Sequence, residues 1–338
     1  MIESRKLLNN IVLLALAVLT IFLFLELVFR GFGIKPYVPY GKLNVTPGGT
    51  LFKKHEYLGY THLPGSFHVT FPDGYTVETT NLHSSFRATR THQAAVPANR
   101  DKLWIFGCSY TYGYSLNDDE TYPWIVQNHL SNYDVQNFGV TGYSTLQSLI
   151  QLKLAIQKKE IPKIVVLAYA PFHDTRNTFA RSWRKSLSSR KYLGERNIPF
   201  VRATDGGITE IKYGRIGYWG LELLTRSSFL NYIDDRINIV QDKYFLKSSL
   251  ATMGIITEFN KICKDNNIKF VVAIISNTGI NANLIDRIKQ QEIPVIDISV
   301  DMSIKANTNQ PHDWHPSYKA NQQYAIKLIN GLKILNAI

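Results

Sequence analysis

Two stretches far apart in the chain hold the side chains that nucleophilic chemistry needs. In "LWIFGCSYTYGYS" (103–115) four apolar residues run into Gly107, Cys108 and Ser109, and "HDWHPS" (312–317) supplies His312, Asp313 and His315. Acyl transfer through a serine requires a hydroxyl at a turn, an imidazole to take its proton, a carboxylate to hold that imidazole, and N–H donors for the oxyanion. Ser109 fits the first role, and the second loop holds both an imidazole and a carboxylate for the next two. Two further loops, "NFGVTGY" (137–143) and "HDTRN" (173–177), fall after other expected strands and could converge with these.

These residues are useful only if one framework delivers them to one edge. Short apolar runs at Leu103–Phe106, Asp134–Phe138, Ile164–Ala170, Phe270–Ile275 and Pro294–Ile298 alternate with helical spacing at Ser144–Lys158, Leu246–Lys264 and Asn281–Gln291. Strands alternating with helices imply an α/β fold, a doubly wound five-stranded parallel sheet of flavodoxin-like type. Each candidate loop follows one of its strands, at the carboxyl edge where such sheets bind ligands. A last helix is expected to start with Pro316 in its first position and to bury Ala325, Leu328, Ile329, Leu332 and Leu335. Residues from about 178 to 245 break the alternation and read as an insertion near the strand ends.

Upstream, "IVLLALAVLTIFLFLELVF" (11–29) is apolar except for Thr20 and Glu26, and at ~1.5 Å per residue it spans about 28 Å. It lacks the small-residue cleavage pattern of a secretory leader. The chain therefore divides into a short cytoplasmic tail (1–10), a transmembrane signal anchor (11–29), a linker and β lead-in (30–100), and the main domain (101–338). Basic residues flank the span on both sides, Arg5 and Lys6 before it and Arg30, Lys35 and Lys42 after it, so charge does not set the orientation. The short leader ahead of a long chain is the layout of a signal anchor and favours a main domain outside the cytosol. Within the lead-in, "GSFHVTFPDGYTVETTN" reads as two alternating runs joined by Pro-Asp-Gly, a hairpin.

Four blocks in order, "FGCSYTYG", "NFGVTGY", "AYAPFHDTRN" and "DWHPS", resemble those of the SGNH or GDSL-type hydrolases over residues 101–338. The apolar helix and "LGYTHLPG" (58–65) resemble the lead-in of bacterial membrane-anchored members. The resemblance implies that Ser109 is the nucleophile and its own N–H one oxyanion donor, Gly142 the second donor, and His315 the general base. Three positions depart from the family pattern. Cys108 stands where the family has Asp, and reads as a buried side chain at a strand end. His173 stands in place of an oxyanion-holding Asn; an imidazole N–H can substitute, or the enzyme is weakened. His312 occupies the usual position of the acid, three before the base, so Asp313 takes that role.

The remaining residues bound the function. With 45% hydrophobic residues the chain can bury a large core, and Cys108 and Cys263 alone imply no disulfide framework. Net charge is +12, and between Thr175 and Arg196 seven basic residues face only Glu195. That cluster suits a solvated face, anionic headgroups or a substrate-attracting rim; no motif organises it for nucleic acid. His312, Asp313 and His315 lie too close together in one loop to converge on a metal, and no cofactor is expected. Arg176 suits a substrate carboxylate or phosphate, or an ion pair with Asp174; Tyr143 is a candidate substrate contact. Tyr110 and Tyr112 suit a pocket wall or ordinary core. The sequence thus points to a membrane-anchored serine esterase or acyl transferase acting on an acylated small molecule or a cell-envelope polysaccharide. A non-catalytic carbohydrate- or lipid-binding protein on the same fold is the alternative.

Overall fold

The computed structural model describes residues 2–91, 99–279 and 282–338. Residue 1 of the tail, residues 92–98 of the lead-in and residue 281 of the expected helix lie outside the described residues. A helix α1 (Ile2–Gly31) precedes a lead-in of five strands, β1 (Asn44–Thr46), β2 (Phe52–His55), β3 (Gly59–His62), β4 (Gly65–Thr70) and β5 (Thr76–Asn81). The main domain runs β6 (Asp101–Phe106), α2 (Ser109–Tyr112), α3 (Tyr122–His129), β7 (Tyr133–Asn137), α4 (Thr145–Gln157), β8 (Ile164–Tyr169) and α5 (His173–Asn177). The insertion follows as α6 (Arg181–Ser188), β9 (Asn197–Phe200), β10 (Ala203–Thr204), β11 (Gly207–Ile208), β12 (Lys212–Arg215), α7 (Leu221–Leu224) and α8 (Ser228–Tyr244). The alternation then resumes with α9 (Ser248–Asp265), β13 (Lys269–Ile274), α10 (Ala282–Gln290), β14 (Val295–Asp297) and α11 (Tyr318–Ile334).

Five strands pair in the order β14-β13-β8-β6-β7, and every pairing is parallel. Side chains alternate across this sheet into two cores. Trp104, Phe106, Val165, Leu167 and Val272 face α4, α9 and α10 with Leu149, Phe259 and Ile288. Leu103, Ile105, Val166, Val271 and Ala273 face α3 and α11 with Val126, Tyr324 and Leu328. All six residues of β8 are buried, which is why its sequence is an unbroken apolar run rather than an alternating one. The strand order reverses between β6 and β8. That switch point opens the crevice where the loops after β6, β7 and β8 meet.

The expected strands and helices are present within a residue or two. Three local expectations are corrected. The last helix is capped by Ser317, whose hydroxyl accepts from the Ala320 N–H, so Pro316 lies ahead of the cap rather than in the first turn. Leu335, at the cap of the other end, is exposed rather than buried with Ala325, Leu328, Ile329 and Leu332. The stretch leaving the apolar helix is not wholly linker, because β1 pairs with β4 and Val45 joins a small core with Phe67, Val69 and Val77. The expected Pro-Asp-Gly hairpin is the β4–β5 pair.

Among the described residues one helical stretch, Arg5–Gly31, is long and apolar enough to cross a membrane. Its end is built into the main domain: Phe29 meets Phe229 and Tyr232 of α8 edge-on at 5.3 and 5.0 Å.

Candidate active site

Ser109 is the first residue of α2, directly after β6 and Cys108, where a helix amide has no intrahelical partner. The local turn is tight. A Cβ on Gly107 would stand 2.1 Å from Thr111 Oγ1, and Gly113 ends α2 at φ +81. Arg87 fixes the following loop from the lead-in: its buried guanidinium donates to the carbonyls of Tyr112, Gly113 and Leu116 and pairs with Asp118 at 2.9 Å.

The loop before α11 brings the base to this turn. His315 Nε2 lies 2.9 Å from Ser109 Oγ, and His315 Nδ1 lies 2.6 Å from Asp313 Oδ2. The loop is braced against the nucleophile turn, since the Asn309 amide donates to the Ser115 carbonyl and the Asn309 N–H to the His315 carbonyl. Tyr110 and Tyr114 flank the imidazole at 5.7 and 4.6 Å between ring centres. Burial pushes the Asp313 carboxyl up, but His315, the Trp314 N–H and the Ser115 hydroxyl outweigh it and hold it below its ordinary value. Asp313 is therefore an anion positioned on the imidazole. His312 turns to the lead-in, 2.6 Å from Asp73 and stacked on Tyr75.

Gly142 has φ +82, and a Cβ there would stand 2.5 Å from Tyr60 Oη, so glycine is required both by conformation and by space. Tyr60 belongs to the "LGYTHLPG" stretch: its hydroxyl donates to the Thr141 carbonyl, and Gln147 donates to the Leu58 carbonyl. Tyr143 is buried and its hydroxyl donates to the Tyr60 carbonyl at 2.5 Å. Its side chain ties the lead-in to the glycine loop, which corrects its reading as a substrate contact. Tyr112 likewise is core, stacked on His62 at 4.0 Å, whereas Tyr110 reaches the imidazole.

His173 begins α5 after β8 and is buried. Its Nδ1 takes a long contact, 3.5 Å, from the Ala170 N–H, and its Nε2 has no partner. Burial, and then the Arg176 cation, hold the ring well below its ordinary pKa and so neutral. A neutral ring accepting at Nδ1 carries its proton on Nε2, which is thus an unspent donor. Arg176 does not pair with Asp174. It donates to the Tyr143 carbonyl and lies 4.5 Å over the rings of both Phe172 and Trp183, while Asp174 accepts from Tyr169 and Thr252.

Two residues of the basic cluster are paired by acids outside its own window. Lys185, 3% exposed, meets Asp234 and Asp235 of α8, and Arg181 meets Asp234. Arg190 is different: it is buried against Trp183 and Tyr40, its Nε has no partner, and its guanidinium stands 3.3 Å from where a Cβ on Gly142 would be. Among the described residues neither Arg176 nor Arg190 forms an ion pair. Arg87 was not singled out from sequence, and Arg190 only as one member of the basic cluster, because their partners (rings, backbone carbonyls and, for Arg87, Asp118) come from distant segments. Cys108 is buried, as expected for a strand end.

No protein-family model and no curated protein matches the chain. Among solved structures it is similar to a lipolytic protein of the G-D-S-L family from Veillonella parvula, at 11% identity and TM-score 0.39 over 68% of this chain and 96% of that one. It is similar to a GDSL-like lipase from Bacteroides thetaiotaomicron, at 12% identity and TM-score 0.40 over 72% and 92%. A psychrotrophic esterase from a Pseudoalteromonas species, inhibited by monoethylphosphonate, matches at 10% identity and TM-score 0.39 over 70% and 100%.

Proposed function

We propose that the chain is a membrane-anchored serine esterase or acyl transferase of the SGNH type. The observation that carries the reading is the continuous relay Ser109 Oγ to His315 Nε2 to Asp313, at 2.9 and 2.6 Å, assembled from segments 206 residues apart. In this reading Ser109 attacks an ester carbonyl carbon while its proton passes to His315 Nε2. Asp313 holds the tautomer and stabilises the imidazolium. The oxyanion is held by the N–H groups of Ser109 and Gly142 and by His173 Nε2–H. The departing alkoxide takes the proton from His315, and water or a sugar hydroxyl then repeats the sequence to release the acyl group.

Arg176 and Arg190 favour a substrate that carries a carboxylate or phosphate near the scissile ester, since two guanidiniums without a protein anion are suited to bidentate recognition of one. An acylated, acidic polysaccharide of the cell envelope has that chemistry. The anchor reading is supported by the grip of α8 on Glu26: Ser227 Oγ and the Ser228 and Phe229 N–H groups all donate to its carboxylate, a contact suited to a helix that is retained. On this reading α1 spans the bilayer and the main domain lies outside the cytosol.

The test is a fluorophosphonate serine-hydrolase probe on the full chain in detergent. Labelling of the wild type that disappears in Ser109→Ala and is strongly slowed in His315→Ala, with matching loss of p-nitrophenyl acetate turnover, is the expected result. A wild type that neither labels nor turns over is instead a non-catalytic carbohydrate- or lipid-binding protein. Poor turnover in water that rises when an acceptor sugar is added assigns transfer over hydrolysis.

A further inference from the structure

Helix α8 is built inside out. Its buried positions are all polar, Ser228, Asn231, Asp234 and Asn238, and they meet Lys185, Arg181, Tyr218 and the end of α1. Its apolar residues recur at Phe229, Ile233, Ile237, Val240 and Tyr244, one stripe at helical spacing, and the last four of these are exposed, Ile237 at 51% and Tyr244 at 64%. A surface helix in water has the opposite arrangement. Segments flanking α8 add exposed apolar residues: Trp219 is 92% exposed, and Leu223 of α7 and Phe245 just after α8 are exposed as well.

The level of α8 along α1 identifies what covers that stripe. Glu26 lies three residues, about 4.5 Å, inside the apolar run that ends at Phe29, and the first amides of α8 bond to it at 3.0 and 3.1 Å. Phe229 also meets the ring of Phe22 at 6.0 Å, and Phe22 is about 10 Å further along the run than Phe29. If α1 spans a bilayer, the start of α8 stands at acyl-chain depth. It cannot be lifted into water without breaking the Glu26 contacts. Exposed basic residues accompany this surface, Arg226 before α8 and Arg236 and Lys243 within it, a composition suited to anionic headgroups.

We infer that α8, with Trp219, Leu223 and Phe245, is an interfacial helix whose outward face is immersed in the same bilayer that α1 crosses. The inference rests on the anchor reading above and adds to it a second, lateral membrane contact. Two contacts fix the tilt of the domain where one flexible tether would not, and so hold the mouth of the site at a set height above the lipid. The Glu26 carboxylate within the apolar run then has a task, capping α8 through three donors while paired to Arg30.

The test uses the full chain in vesicles of phosphatidylethanolamine and phosphatidylglycerol, with one nitroxide at a time on Ile237→Cys, Val240→Cys, Leu16→Cys or Lys305→Cys. Cys108 and Cys263 are buried, and the parent chain controls for their labelling. Collision with oxygen reports lipid, and collision with a water-soluble nickel chelate reports solvent. The expected result is that positions 237 and 240 favour oxygen as position 16 does, with position 305 favouring nickel. Lipid exposure at 16 with solvent exposure at 237 and 240 overturns the inference and leaves the anchor standing. Shielding of 237 from both reagents, with spin-spin broadening between chains, gives the face to a second copy and also overturns it. Solvent exposure at 16 removes the anchor reading itself, and the inference with it.

Discussion

With Nδ1 facing the Ala170 N–H, the one proton of the His173 ring sits on Nε2, buried and without a partner. A buried donor left unspent costs about 1–3 kcal/mol, a penalty that an arriving oxyanion would relieve. The proposed role therefore predicts that His173→Ala lowers kcat on an activated ester by about 10²–10³-fold with little change in KM, and that His173→Asn recovers most of the loss because an amide N–H can stand in. Equal kcat in all three proteins would remove His173 from the site. At this scale the sequence was informative where chemistry is local. Ser109 after an apolar run, and the pair Asp313 and His315 picked out through the resemblance, were legible to the extent that the structure brings the three within hydrogen-bond distance. Tyr143 was misread because its exposure depends on Tyr60, which approaches from a different segment. Arg87 was missed, and Arg190 placed only within the basic cluster, for the same reason: the carbonyls, rings and, for Arg87, the Asp118 carboxylate they meet approach from other segments.

Glu26 joins two helices through charge-assisted bonds to the amides at the start of α8, groups that a helix leaves unsatisfied. Glu26→Ala should free those amides without touching the sheet. Hydrogen exchange at Ser228 and Phe229 is expected to rise about 5- to 150-fold, the equivalent of ~1–3 kcal/mol, with protection of β6 and β8 unchanged. Unchanged exchange at both amides would show that α8 is held by its polar face alone. The central strands of the main sheet were legible because they are buried on both sides: β8 is an unbroken apolar run, and β6 and β13 are apolar after their first one or two residues. α8 was not. A search for a helix that buries an apolar stripe passes over one that buries Asn231, Asp234 and Asn238, and the acids that pair with Arg181 and Lys185 lay in that same unread helix. The caps were also beyond reach, since Pro316 and Ser317 are both acceptable helix starts and the Ala320 N–H decides between them.

Across the whole molecule, stability in mildly acidic solution should carry the mark of one half-buried carboxyl, Asp174, that joins the sheet to its covering helix. Asp174 accepts from Tyr169 at the end of β8, at 2.9 Å, and from Thr252 of α9, at 2.6 Å, with no cation among its described partners. Burial raises its pKa from 3.8 to about 6, the two hydroxyl donors offsetting only part of that. The sign follows from which state holds the proton. Below about pH 4 both folded and unfolded chains hold it; between about 4 and 6 the unfolded chain has lost it while the folded chain keeps it, so stability from this group falls as pH rises. The difference of about two pKa units corresponds to ~3 kcal/mol, present in acid and gone above about pH 6. Asp174→Asn keeps an acceptor for the two hydroxyls and removes the titration. The stability of the wild type relative to Asp174→Asn, from urea unfolding of the full chain in detergent, should therefore decline by about 3 kcal/mol between pH 4 and 7. A difference that stays flat over that range would mean that the carboxyl ionises freely in the folded chain, and that the α9 layer is open to water at the point where it meets the carboxyl edge of the sheet.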